Sequence, residues 1–384
     1  MKLNFSNIIS WSKHCRITAI LLVFLISFLT TGSAQEVKMH KKAEILADQL
    51  QNWYNNETGI WETTSWWNGA NALTAIIKYG QLTDNDSVIK VVENTYSKTK
   101  QFEVQANDKT DAWVCTNYIN DYYDDEGWWA LAWLDAWEWT GNEEYLKTAK
   151  IIFKDITLGW DEICGGGIYW KKGLSGKSTI SNELTLLLAA RLYLVNNETV
   201  NGKSYLQWSV DIWNWILSAK IINEMGQVQD GVNNNNGSCK INPRIWTYNQ
   251  GVILSGLVNL HKITGDNTYL NHAHSIAEAA INNMATEKGI LYENRCEPDN
   301  CNGDAEQFKG VFMRHLAVLN QYSQKNEYCG FIKINAQSIW ENAMQHGSVS
   351  PGVSWSAFSK KSNAATSSSA LDALNAALSC QQKH

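Results

Sequence analysis

Three acids, Asp124-Asp125-Glu126, stand between Tyr122-Tyr123 and Gly127-Trp128-Trp129. Paired carboxylates cleave glycosidic bonds, one donating a proton and the other attacking or activating water. Aromatic faces supply flat apolar platforms with a polar edge, suited to the C–H faces of sugars. Repulsion between neighbouring acids, and desolvation by the flanking rings, would hold one carboxyl protonated while the other stays ionised. The plainer alternative is a helix start, where first-turn acids meet unpaired N–H groups. With Asp121 also nearby, the block holds more charge than a cap needs. Spacing alone does not say which acid attacks, and Glu126 is a local rival for either role.

Other polar and aromatic residues form a candidate substrate set. Asp230, in Gln229-Asp230-Gly231-Val232-Asn233, suits a sugar hydroxyl, against the alternative of an Asp-Gly turn. Asn249 and Gln250 can each donate and accept, against the alternative of a helix cap. Tyr248 stands beside them, and Gln307, Phe308 and Lys309 suit another subsite, with a solvated surface as the rival for Lys309. Tryptophan is frequent, at 19. Trp133 and Trp137, four apart, read as helix packing. Trp66, Trp67, Trp128, Trp129 and Trp246 fall at expected loop ends, where two or three would serve as stacking platforms. Asn68, Asp121 and Tyr123 complete the set.

Helical periodicity dominates the elements that must carry these residues. A first helix is expected over residues 35–55, with Ala43, Leu46, Ala47, Leu50 and Trp53 on one face. Helices over 68–79 and 86–99 follow. One turn recurs: Thr140-Gly141-Asn142-Glu143-Glu144-Tyr145-Leu146 returns as Thr264-Gly265-Asp266-Asn267-Thr268-Tyr269-Leu270. Asn201-Gly202-Lys203-Ser204-Tyr205-Leu206 is a third copy, with echoes at Thr83–Ser87 and Lys325–Tyr328. The glycine ends one helix and the polar residue caps the next. The interval is roughly 60 residues, which fits a helical hairpin plus a long loop. Five such turns, with the first helix pairing with Ser367–Leu378, predict six hairpins closed into an all-α (α/α)6 toroid. An open solenoid would need polar end caps, and Ala370–Leu378 is not one. The cleft is expected from loops at one end of the inner helices, over 66–68, 117–129, 165–170, 229–236, 246–250 and 299–309.

Residues 1–34 read as a signal peptide: Lys13, His14 and Arg16, an apolar run from Ile17 to Leu29, then Gly32-Ser33-Ala34. A retained anchor is the alternative, and the run is short for a span. Residues 35–384 are expected to form one secreted domain, a monomer free of the membrane once the signal is removed. The signal takes three of the 32 basic residues and none of the 38 acidic ones, moving the net charge from −6 to −9. This disfavours nucleic acid and anionic lipid and suits a neutral substrate. Seven cysteines remain, enough for three disulfides, with Cys296 and Cys301 the best local pair. A zinc site lacks C-x-x-C spacing and a nearby histidine. Gly176-Lys177-Ser178 lacks the first glycine of a phosphate loop, Asp299–Asp304 lacks the ligand order of a calcium loop, and His272 and His274 diverge on a helix. No metal or cofactor is expected. Asn56, Asn85, Asn197 and Asn236 lie in glycosylation sequons.

Four blocks, in order, resemble glycoside hydrolase family 76, the endo-α-1,6-mannanases: Trp66–Ala72, Tyr123–Trp133, Thr247–Gly251 and Gly303–Gly310. The resemblance spans nearly the whole mature chain. It implies an (α/α)6 barrel and retaining hydrolysis of α-1,6-linked mannan or mannoprotein, with Asp124 as nucleophile and Asp125 as acid/base. Retention needs carboxyls about 5–5.5 Å apart. Adjacent residues in mid-helix diverge by about 100°, so the pair is expected at a helix start or in a loop. The same covalent intermediate would permit transglycosylation, and a non-catalytic mannan-binding protein is a further alternative. An uronyl hydrolase of the same fold is disfavoured by the acidic charge.

Overall fold

The computed structural model describes residues 38–104, 113–173, 176–235, 237–298, 300–323, 325–344, 349–359 and 361–380. The expected signal peptide lies outside them. Among the described residues twelve α-helices follow one another: α1 over 38–51, α2 Trp66–Thr83, α3 Ser87–Thr99, α4 Tyr123–Thr140, α5 Glu143–Ile156 and α6 Thr179–Val195. The second half comprises α7 Tyr205–Ser218, α8 Thr247–Thr264, α9 Asn267–Asn283, α10 Ala305–Ser323, α11 Asn326–Ala343 and α12 Ala364–Ser379.

The even-numbered helices form an inner ring. Each packs on the next, from α2 through α4, α6, α8 and α10 to α12, and α12 packs back on α2. The toroid is therefore closed. The inner helices are apolar almost all round, as α6 shows, with every residue from Thr179 to Ala190 buried. Such a helix must be enclosed on every side. The outer helices are one-sided. In α5, Tyr145, Leu146, Ala149, Ile152, Phe153 and Ile156 share the buried face. Helix α1 joins the outer shell next to α11, where Lys42 donates to Gln337 and its ammonium lies over Trp340.

The recurring turn works as its residues require. Gly141 and Gly265 end α4 and α8 in the left-handed conformation, at φ 70° and 72°. Asn142 and Asp266 then accept from Glu144 N–H and Thr268 N–H to start α5 and α9. The third copy differs. Asn201-Gly202 forms the tip of a small hairpin, Thr199–Val200 (β6) against Lys203–Ser204 (β7), so Gly202 does not end α6. Ser204 caps α7 instead. Extra residues between α6 and α7 pair with each other before the next helix can start.

The main departure from an all-helical expectation lies at one mouth of the ring. Gly176–Ser178 (β5), Gln229–Asn235 (β8) and Ser238–Ile245 (β9) form an antiparallel sheet. Residues 229–236 were expected as loop; β8 is a strand through Asn235. Its sequence is polar along both faces, so the alternation that marks a half-buried strand is missing. Gly231, at φ 144°, is required there: a Cβ would sit 2.2 Å from the Lys177 carbonyl oxygen. Two further short hairpins pair Tyr54–Asn55 (β1) with Ile60–Trp61 (β2), and Gln101–Val104 (β3) with Trp113–Thr116 (β4). Three disulfides join Cys164 to Cys239, Cys296 to Cys301 and Cys329 to Cys380. Among the described residues no helix is long and apolar enough to cross a membrane.

Inner helices approach closely where a glycine permits. A Cβ at Gly310 of α10 would lie 2.5 Å from Ser369 Cα of α12. Gly310→Ala is expected to lower stability by roughly 1–3 kcal/mol, read as a lower midpoint in urea unfolding. Gly303→Ala, whose added carbon meets nothing within 4 Å, is expected to leave the midpoint unchanged. Equal midpoints for the two variants would contradict this account of ring closure.

Candidate active site

A cleft of about 610 Å3 opens at the mouth where the inner helices begin. Its lining includes Trp67 of α2, Asp124, Asp125 and Trp128 of α4, Tyr248 of α8 and Phe308 of α10. Asp230 comes from β8, and Trp170, Trp246 and Asp304 from connecting segments.

Asp124 and Asp125 are the second and third residues of α4, after Tyr122 in extended backbone. At that position their carboxyls share the cleft floor while the helix axis is only beginning. Trp170 Nε1 donates to Asp124 Oδ2 at 3.0 Å. Asn120 Nδ2 donates to Asp125 Oδ2 at 2.8 Å. Asn120 is itself fixed, since its Oδ1 accepts from Tyr122 N–H and its own N–H donates to Glu126.

Burial raises the proton affinity of both aspartates. Asp124 is pushed up to about 7 by desolvation, against the hydrogen bond from Trp170 and the N–H groups of the helix start. Asp125 is held well above the ordinary carboxylate range, first by desolvation and then by the charge of Asp124. The pair is therefore asymmetric: the better-supported anion is Asp124, and the proton resides on Asp125.

Glu126, the rival carboxylate, is fully buried and turned away from the cleft. Its Oε1 accepts from Lys172 at 3.0 Å and from Asn120 N–H at 3.1 Å. Lys172 also pairs with Asp155. The third acid thus anchors α4 to the segment that follows the short 3-10 turns Thr157–Gly159 and Ile163–Gly165, rather than lining the cleft.

Rings wall the cleft in pairs. Trp67 stacks with Trp128 at 5.8 Å, and Tyr248 lies flat on Phe308 at 3.9 Å. Trp246 meets Phe308 edge-on, and Trp170 meets Tyr122 in the same way. Two further acids are built in. Asp304 accepts from Trp67 Nε1 at 3.0 Å. Asp230 accepts from Asn242 at 2.9 Å and from Asn249 at 3.4 Å. Burial raises both above the ordinary range.

Several expected contact residues lie elsewhere. Trp66 and Trp129 are core residues, 5.4 Å apart and both against Tyr118; they sit behind the cleft because their helix positions point into the packed ring. Tyr123 is buried over Gly159 with Lys172 beside its ring. Asp121 is exposed outside the cleft, and its carbonyl accepts from Lys172 N–H. Asn68 and Gln307 bond to each other at 2.7 Å, and Gln307 also reaches Ser368. They brace three helix starts, as buried amides must be satisfied. Gln250 accepts from Val228 N–H and donates to its carbonyl, holding the approach to β8. Asn249 is buried and acts through Asp230. Lys309 is neither subsite nor surface: it is buried, ion-paired with Glu297, and donates to the Val353 carbonyl.

Sequence reasoning did not single out Asn120, Trp170, Asn242, Arg244 or Asp304 individually. Asn120, Trp170 and Asp304 fall inside segments expected at the mouth, so position pointed to them. Asn242 and Arg244 lie on β9, a strand with no apolar alternation to announce it.

The family model described as glycosyl hydrolase family 76 matches residues 38–384. A mannan endo-1,6-alpha-mannosidase DCW1 of Saccharomyces cerevisiae is 27% identical over 70% of this chain and 61% of its own. A putative mannan endo-1,6-alpha-mannosidase of Schizosaccharomyces pombe is 28% identical over 72% and 63%. The chain spans about three fifths of the length of these curated relatives. Among solved structures, an inactive variant of the alpha-1,6-mannanase GH76A of Salegentibacter sp. HEL1_6, with two aspartates changed to asparagine and alpha-1,6-mannotriose bound, superposes with a TM-score of 0.75. Identity is 23%, covering 88% of this chain and 99% of that one. Dfg5 from Chaetomium thermophilum in complex with glucosamine gives 0.76 at 21% identity, covering 89% and 90%. At these identities the likeness establishes the shared toroid.

The raised proton affinity of Asp124 has a consequence for stability. The folded chain holds this proton up to about pH 7, whereas an unfolded aspartate releases it near its ordinary value of 3.8. Stability therefore falls as pH rises through that window. Asp124→Asn is expected to melt at a higher temperature than the parent at pH 8, with the difference gone by pH 4. A difference that is independent of pH would contradict the burial of this carboxyl.

Proposed function

The chain belongs to glycosyl hydrolase family 76, and from that premise we propose that it is a secreted, retaining endo-α-1,6-mannanase. The observation that carries the reading is the unequal pair at the start of α4. Asp124 accepts from Trp170, and Asp125 is protonated and oriented by Asn120. One group can attack while its neighbour gives up a proton.

In the first step Asp124 Oδ attacks the anomeric carbon as the glycosidic C–O bond breaks. Asp125 transfers its proton to the departing oxygen, giving a mannosyl ester on Asp124 and a free chain end. Asp125, now ionised, takes a proton from water, whose oxygen attacks the same carbon and releases Asp124. Two displacements return the original anomeric configuration. The paired rings Trp67–Trp128 and Tyr248–Phe308, with Trp170 and Trp246, offer flat faces to successive sugars. Asp230, held by Asn242 and Asn249, can accept from sugar hydroxyls. An open cleft admits the interior of a polymer, which favours endo cleavage. A neutral mannan backbone suits a cleft lined by four carboxyls, Asp124, Asp125, Asp230 and Asp304, which would repel an anionic polymer. The disulfides favour an oxidising compartment, in line with secretion.

The reading is tested on linear α-1,6-mannan. Proton NMR should show the α-anomer of shortened oligosaccharides first. Products longer than the starting oligomannoside would favour transfer to sugar over hydrolysis, and an initial β-anomer would overturn retention. Asp125→Asn is expected to lose roughly 10²–10⁴-fold in kcat, the usual worth of a positioned general acid. Asp124→Asn is expected to abolish turnover yet retain oligosaccharide binding.

The pH profile of kcat/KM follows from the same pair. Activity falls below about pH 7 as Asp124 becomes protonated and falls at higher pH as Asp125 loses its proton. Trp170→Phe removes a hydrogen bond to the ionised form, so the acid limb should move to higher pH. An acid limb unmoved in that variant would mean that Asp124 is not the group being titrated.

A further inference from the structure

A second cavity, of about 500 Å3, opens at the opposite mouth of the ring. The C-terminal halves of all six inner helices contribute to it, so the packed ring separates it from the cleft. Its volume lies in the range of small-molecule sites.

Among the described residues, two buried polar atoms on its lining have no partner. Asn375 of α12 is 2% exposed, and its Nδ2 donates to the Ala75 carbonyl while Oδ1 has no donor. His315 of α10 is 6% exposed, with Nδ1 2.7 Å from Ser255 Oγ and Nε2 unpartnered. Burial pushes the imidazole well below its ordinary range, so it is neutral. Leaving buried polar groups unsatisfied is destabilising. A ligand supplying a matching group to each would recover that cost.

The surrounding charge selects the kind of ligand. Arg191 pairs with Asp135 at 2.7 Å and with Glu138 at 2.9 Å, while Arg314 pairs with Asp372. An anion would face these three carboxylates and the negative ends of six helices. A cation would face the two guanidinium groups and the ammonium groups of Lys78 and Lys262. A neutral polyhydroxylated molecule uses both, because each hydroxyl donates and accepts. Trp137 and Leu187 add an apolar surface for a ring face.

The geometry points to a second carbohydrate site: the rear cavity binds a neutral pyranose, with His315 Nε2 and Asn375 Oδ1 contacting its hydroxyls. It is independent of turnover in the cleft, and its loss would leave the reading of the cleft unchanged.

The test uses the full chain carrying Asp124→Asn and Asp125→Asn, with histidines labelled by ¹⁵N. The His315 ring signals are assigned by their loss in His315→Gln. Mannose, glucose and galactose are titrated separately, so a wrong choice of sugar is distinguished from an absent site. Movement of the His315 signals with at least one sugar supports the proposal. By calorimetry that sugar should occupy the rear site as well as the cleft, and Asn375→Leu should weaken the rear site by about tenfold. Silence of His315 to all three sugars, at concentrations that saturate the cleft, overturns it. So does movement with inorganic phosphate alone. The histidine readout comes from a chain unaltered at the rear site, so a misfolded Asn375→Leu does not decide the outcome.

Discussion

The six inner helices run the same way, and that common direction sets the rest of the molecule. Their N-termini gather at one mouth, bringing unpaired N–H groups and the positive ends of six dipoles together. Asp124 and Asp125 sit in the first turn of α4, and Asp304 just ahead of α10. Acids concentrated in an aromatic-walled cavity would otherwise repel one another at considerable cost. At the other mouth the C-termini meet Arg191, Arg314 and Lys78. The toroid is polar from end to end. Its closure by α12 between α10 and α2 keeps either set of termini from splaying.

Within that field the two aspartates differ through their neighbours. Desolvation acts on both and would protonate both. Trp170 gives Asp124 a donor, whereas Asp125 feels Asp124 as a nearby negative charge. Asn120, in turn, ties Asp125, Tyr122 and Glu126 into one local network. The third acid in the run holds the backbone that carries the other two. Three successive carboxyls therefore have three different surroundings, set by Trp170, Asn120 and Lys172 in turn.

Much of this was legible in the residues. The roughly 60-residue recurrence of a glycine and a cap announces helical hairpins, and the two clearest copies are built in the way their residues require. The acidic run stood out because, with Asp121 nearby, it holds more charge than a helix cap needs, although its third member is structural. Burial inside the ring was not legible. Trp66 and Trp67 are neighbours in sequence, yet one packs in the core and the other faces the cleft, a difference of one helical position. Asn68, Gln307 and Lys309 have polar side chains that suit a substrate as well as an internal brace. Only the ring closure decides between those uses. Strands β8 and β9 escaped because their residues are polar on both faces, and a strand lying outside the core has no apolar rhythm to betray it.

That sheet stands apart from the twelve-helix frame. β8 and β9 form a hairpin inserted between α7 and α8, pinned at its tip by Cys164–Cys239 and at its base by Gly231 against Lys177. The helices would still meet in the same order if the hairpin were shorter or longer. Changes in the hairpin can therefore reshape the rim of the cleft while the paired aspartates at the start of α4 keep their frame. Divergence between copies of this gene should concentrate in this hairpin outside Asp230, Gly231 and Asn242, as a tool handle changes faster than the blade it carries.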